Sequence, residues 1–103
     1  MNLENEKAWA KSMALAMKVY QASRAFPKEA CGGTARLCQQ AAVAIPVHLA
    51  GPSAGRGRAR ALACLRVLER ELKRASDQGC LTPSELAALA WDAAEVTFLL
   101  KFP

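Results

Sequence analysis

The residues of this 103-residue chain whose types could do chemistry are four cysteines (Cys31, Cys38, Cys64, Cys80), a single histidine (His48), and a glycine- and arginine-rich stretch, Gly51-Pro-Ser-Ala-Gly-Arg-Gly-Arg-Ala-Arg60. The last invites a phosphate-cradle reading. A P-loop requires a Gly-Lys-Ser/Thr after Gly and four residues, but the sixth residue from Gly51 is Arg56 and no Lys-Ser/Thr follows. A dinucleotide fingerprint starting at Gly55 and Gly57 would need its third glycine where Arg60 stands, and no β-rich segment precedes it. Both matches fail. A cysteine nucleophile would need His48 as its base, yet Cys38 lies ten residues earlier, about 80° away around a helix and toward its core side. With no second histidine and no paired inward carboxylates, general acid–base chemistry lacks its parts. The cysteines contain no Cys-x-x-Cys pair and read best as reduced, small apolar residues. No enzyme activity, metal site or cofactor is expected.

These residues must be carried by helices. Alanine and leucine dominate, and aromatics are 6% of the chain, a composition that loses little rotamer freedom in helices. The length suits one domain, residues 1–103, with a single core. No apolar run approaches the roughly 20 residues of a membrane span, and Lys7, Lys11 and Lys18 interrupt the segment a signal peptide would use. The expectation is a cytoplasmic protein with no membrane association.

Four helices follow from periodicity and punctuation. The first spans roughly residues 4–26 and stops at Pro27, with Trp9, Met13, Ala16, Met17 and Tyr20 as its buried stripe. The second begins near Thr34 and buries Leu37, Cys38, Ala41, Ala42, Ile45 and Leu49, with a kink at Pro46 and Gly51-Pro52 as a left-handed residue and breaker. This makes the glycine-rich stretch an interhelical turn. The third helix, about residues 58–77, carries a seam of Ala61, Leu65, Leu68, Leu72 and Ala75 and ends at Gly79. Thr82-Pro83-Ser84-Glu85 opens the fourth with a capping box, ahead of a core stripe of Leu86, Leu89, Ala90, Ala93, Val96 and Leu100. Short connections make sequential helices antiparallel, so the expected fold is an all-α, up-down-up-down four-helix bundle.

Two surface features remain. The formal net charge of +5 equals that of residues 55–74 alone, where Arg56, Arg58, Arg60, Arg66, Arg70, Lys73 and Arg74 outweigh Glu69 and Glu71, while the other seven basic and seven acidic residues cancel. Most of these cations fall opposite the leucine seam, forming a one-sided ridge suited to the phosphate backbone of RNA or DNA. No aromatic is interleaved, which argues against a single-strand stacking platform. On the fourth helix Trp91, Phe98 and Phe102 fall together opposite the core stripe, as a subunit or partner interface would.

Trp9 and Tyr20 eleven apart, Phe26-Pro27-Lys28-Glu29, Ala41-Ala42-Val43-Ala44-Ile45-Pro46, and Gly79-Cys80-Leu81 before an acidic-capped helix together resemble a bacterial family. It comprises the four-helix-bundle proteins encoded in 23S ribosomal RNA intervening sequences and the accessory variability protein of diversity-generating retroelements. The likeness covers nearly the whole chain. It departs after Ile45-Pro46, where Val47-His48-Leu49-Ala50-Gly51-Pro52 replaces the family's usual Ala-Asn-Ile-Ala-Glu-Gly. The resemblance implies a homo-oligomer, often a pentameric ring, without catalytic residues. It also implies a basic nucleic-acid-binding surface and, in the retroelement branch, a reverse transcriptase as partner. The alternative from the residues is a protein–protein scaffold docking through Trp91, Phe98 and Phe102.

Overall fold

A computed structural model describes residues 5–102 of the chain, and the expected helix start at residue 4 lies outside them. Four helices follow one another, α1 (Glu6–Arg24), α2 (Lys28–Leu49), α3 (Ala54–Asp77) and α4 (Pro83–Lys101), with no strand among the described residues. Each packs on its sequence neighbours and α4 closes back onto α1, which makes a square, antiparallel bundle about 40 Å long. The cross-links agree with the antiparallel register. Lys11 pairs with Glu95 while Lys18, two turns on, pairs with Asp92. Thr34 near the start of α2 donates to Gln78 just past α3 (3.0 Å), whereas His48 near the end of α2 meets Gly57 near the start of α3.

The core is aliphatic and small. Leu15, Val19, Ile45, Leu49, Leu65, Leu68, Leu72 and Val96 are all fully enclosed, and the seam of α3 is buried as its seven-residue spacing requires. In α4 Leu89, Ala93, Val96 and Leu100 are buried and Leu86 half-buried, but Ala90 faces solvent. The stripe of α1 is displaced by one residue from the expected one. Ala8, Ser12, Leu15 and Val19 are buried in place of Trp9, Met13, Ala16 and Tyr20, and Met17 is 62% exposed. Serine can sit inside because the Ser12 and Ser23 hydroxyls donate to the carbonyls of Trp9 (2.8 Å) and Tyr20 (3.1 Å) one turn back. In α2, Leu37 is likewise exposed while the rest of the expected stripe is buried.

Helix ends explain the other differences. α2 starts at Lys28, six residues earlier than Thr34, because Pro27 holds the extended N-cap conformation directly after α1 and Gly32 and Gly33 are absorbed into the helix. It also runs through Pro46 to Leu49. Gly51 is not left-handed. Among the described residues only Gly79 has positive φ (80°), and it closes α3 in a Schellman motif, with Cys80 N–H donating to Ala75 O (2.8 Å) and Gly79 N–H to Ser76 O (3.0 Å). The Thr82 capping box is present as expected. Ser53 caps α3, so the glycine-rich stretch is a turn only as far as Ser53 and is helical from Ala54. The expectation of four reduced cysteines is corrected as well. Cys31 at the start of α2 and Cys80 in the α3–α4 turn form a disulfide across 49 residues, a pairing that sequence spacing could not reveal.

Candidate nucleic-acid interface

The outer face of α3 carries the expected cations on a rigid scaffold. Arg56, Arg60, Arg66, Arg70, Lys73 and Arg74 are all exposed, because a helix whose leucines occupy one side must put residues half a turn away into water. They are not equivalent. Arg56, Arg60 and Arg66 have no ion pair among the described residues, so their guanidinium groups remain available. Lys73 lies 3.6 Å from Asp77 in a solvent-exposed pair of small energetic consequence. Arg58 is half-buried and donates to Asn5 Oδ1 (3.3 Å) at the base of α1, so it sits off the ridge and ties two elements together.

Arg70 and Arg74 share a partner that the sequence pattern did not single out. Glu71 is only 2% exposed, with Oε1 3.3 Å from Arg74 Nη1 and Oε2 4.0 Å from Arg70 Nε. A carboxylate taken out of water is costly unless paired, and Oε1 has no hydrogen-bond partner among the described residues. The two arginines thus cover a buried anion, and Glu71 in turn restrains where their guanidinium groups lie. The signal was present in the spacing, since Glu71 falls at the border of the leucine seam with cations at i−1 and i+3, but an acidic residue in a basic run reads as a solvated counter-charge.

The residues considered for catalysis do not come together. Cys38 is fully buried, and burial, then the charge of Glu71, pushes its thiol up to about 11. It is a thiol at neutral pH. His48 is half-buried near the end of α2, where its carbonyl oxygen abuts Gly57. Among the described residues no three His, Cys, Asp or Glu side chains gather as a metal site would need.

On α4 the aromatics lie where the wheel placed them. Trp91, Phe98 and Phe102 are 70%, 61% and 66% exposed, and the rings of Phe98 and of Phe102, just past the end of α4, lie 5.0 Å apart with a tilt of 38°. Trp91 and Phe98 border a groove of about 400 Å³ completed by Ala94, Glu95, Leu99 and, from α1, Lys7 and Lys11. A second apolar surface is also present, made largely of residues expected in the core. Met13, Met17 and Tyr20 on α1 and Val43 and Val47 on α2 are exposed. The molecule therefore combines a square four-helix bundle, one basic helix face and two apolar outer faces. Comparison with protein-family models and with curated proteins finds no match to this chain. No helix among the described residues is long and apolar enough to cross a membrane.

Proposed function

We propose that this protein is a non-catalytic, homo-oligomeric nucleic-acid-binding accessory protein that grips phosphate backbones through the outer face of α3. The observation that carries this reading is the row of exposed Arg56, Arg60 and Arg66 with no acidic partner among the described residues, continued by Arg70, Lys73 and Arg74. Such a row displaces condensed counterions from RNA or DNA without reading its sequence. Copies joined through the apolar faces would repeat the ridge and add avidity to modest single contacts. The resemblance to the ribosomal intervening-sequence and retroelement proteins extends this reading to a pentameric ring and a reverse-transcriptase partner. The same reading carries the expected cytoplasmic setting, but the Cys31–Cys80 disulfide weighs against it, because a reducing compartment would hold both residues as thiols; their redox state in cells decides the point.

The test is a salt series. Binding of a structured RNA and of a duplex DNA should weaken linearly in log affinity against log salt. The variant Arg56→Gln/Arg60→Gln/Arg66→Gln should lower that slope by roughly 0.7 to 0.9 for each phosphate no longer neutralised, equally for unrelated sequences. These three are chosen because none supports Glu71 or Asn5, so the fold should be unchanged by circular dichroism. Wild-type binding that is absent or insensitive to salt would leave the second reading, a protein scaffold docking through Trp91, Phe98 and Phe102, which the large exposed aromatic face favours.

A further inference from the structure

The balance of charge outside α3 holds in the sequence but not in space. From residue 7 to residue 68 the chain has ten basic residues and one acidic one, Glu29. α4 offsets part of this excess, since Glu95 and Asp92 meet Lys11 (3.1 Å) and Lys18 (2.8 Å). No such partner reaches the far end of α1. There Arg24, Lys28 and Arg36 line a single cleft of about 810 Å³ between the end of α1 and the first half of α2. None of the three has an ion pair among the described residues, and Glu29 is not part of the lining. Like charges gathered around a concave, low-dielectric surface focus a positive potential into it.

The wall of the cleft supplies an independent observation. Gly32 and Gly33 lie inside α2, where glycine weakens a helix. Neither has positive φ, and a Cβ at either position would meet nothing within 4 Å. Neither the backbone conformation nor packing within the chain requires them, in contrast to Gly57, whose Cβ would sit 2.5 Å from His48 O. What the two glycines leave is space beside the helix for close approach by an outside group, since their N–H groups are already committed to the carbonyls one turn back within α2. The cleft base is held, because Gln39 Nε2 on α2 donates to Ser23 Oγ on α1 (2.7 Å).

We propose that this cleft is a second anion site, in which Arg24, Lys28 and Arg36 hold a dianionic phosphate group in the space that Gly32 and Gly33 leave beside α2. The two arginines offer paired N–H donors and the lysine a point charge, as a terminal phosphate requires. A free nucleotide and the 5′ end of a nucleic acid present the same group. The site is separate from the α3 ridge and does not depend on the ridge binding nucleic acid.

Inorganic pyrophosphate is the probe, followed through the Gly32 and Gly33 amide resonances by NMR. Wild type should show saturable shifts at both glycines. Arg24→Gln/Arg36→Gln should weaken half-saturation by about tenfold or more, the loss of charge-assisted hydrogen bonds. Gly33→Ala should melt at a higher temperature than wild type, yet bind pyrophosphate several-fold more weakly, a split that a purely structural glycine would not give. The ridge variant Arg56→Gln/Arg60→Gln/Arg66→Gln should titrate like wild type, whatever its effect on nucleic-acid binding. Adding ATP, and an oligonucleotide with or without its 5′ phosphate, identifies the source of the group; saturation by either phosphate carrier supports the site. Absent shifts in wild type, equal titration by the Arg24/Arg36 variant, or unchanged affinity in Gly33→Ala would each overturn it.

Discussion

Gly55 and Gly57 are two residues apart in one arginine-rich stretch, and their backbones are both helical, yet they do opposite things. A Cβ at Gly55 would enter open space, so Gly55→Ala should stabilise the protein by up to about 1 kcal/mol through the unfolded state. A Cβ at Gly57 would collide with the carbonyl of His48 at 2.5 Å, a backbone atom that cannot swing away. Gly57→Ala should therefore push α2 and α3 apart and cost about 1 to 3 kcal/mol. Urea denaturation of the two variants checks the pair, and the same sign for both would show that the α2–α3 approach at His48 is not as close as described. At the same scale, Glu71 shows how one buried carboxylate can set the posture of two surface arginines.

At the scale of elements, the α3–α4 turn is fixed three times over, by the Schellman closure at Gly79, the capping box at Thr82 and the Cys31–Cys80 disulfide. Thr82→Ala should cost about 1 kcal/mol by freeing the Glu85 N–H, measured by denaturation at neutral pH. The reciprocal bond has a pH signature. Thr82 N–H donates to Glu85 Oε1 at 2.9 Å, and this bond to backbone holds the Glu85 carboxyl below its ordinary range. Its contribution is therefore full above the ordinary carboxylate pKa and is lost as pH falls through the lowered one. The wild-type advantage over Glu85→Gln should shrink on acidification, and an advantage independent of pH would remove the carboxylate from the cap. The disulfide closes a 49-residue separation, for which chain entropy gives about 4 kcal/mol. Reduction, or Cys31→Ala with Cys80→Ala, should lower stability by that order in equilibrium unfolding.

For the whole molecule, the exposed aromatics of α4 are the surface through which we propose that copies or partners meet. Trp91 and Phe98 lie on the side of α4 away from the core, so Trp91→Ala/Phe98→Ala should lower the assembled mass in light scattering while leaving helicity by circular dichroism intact. An unchanged mass would remove the interface role from Trp91 and Phe98, and a loss of helicity would instead place these rings in the core. Charge is distributed at this scale too. Glu95 and Asp92 of α4 pair with Lys11 and Lys18 of α1, while the α3 ridge and the Arg24, Lys28 and Arg36 cleft stay positive.

What the sequence determined by itself was the number of helices, one cap and one seam, whereas the starts of α2 and α3 and the conformation of Gly51 escaped it. Alanine- and leucine-rich periodicity dictated four helices, Thr82-Pro83-Ser84-Glu85 dictated how α4 begins, and the seven-residue spacing of α3 dictated both its buried seam and the exposure of its arginines other than Arg58. Each of these depends on residues within a few turns of one another. The tertiary structure decided what depends on distant residues. On α1 the buried stripe is Ala8, Ser12, Leu15 and Val19, with Trp9 and Ala16 of the neighbouring stripe packed only against its edge, and which stripe faces inward depends on how the other helices pack around α1. Cys31 and Cys80 are 49 residues apart in sequence and meet because the antiparallel packing of α2 and α3 sets the start of one helix beside the end of the other. The charges that cancel along the chain fail to cancel in space, because electrostatic pairing needs atoms within a few ångströms, and only packing sets which helix α4 lies against.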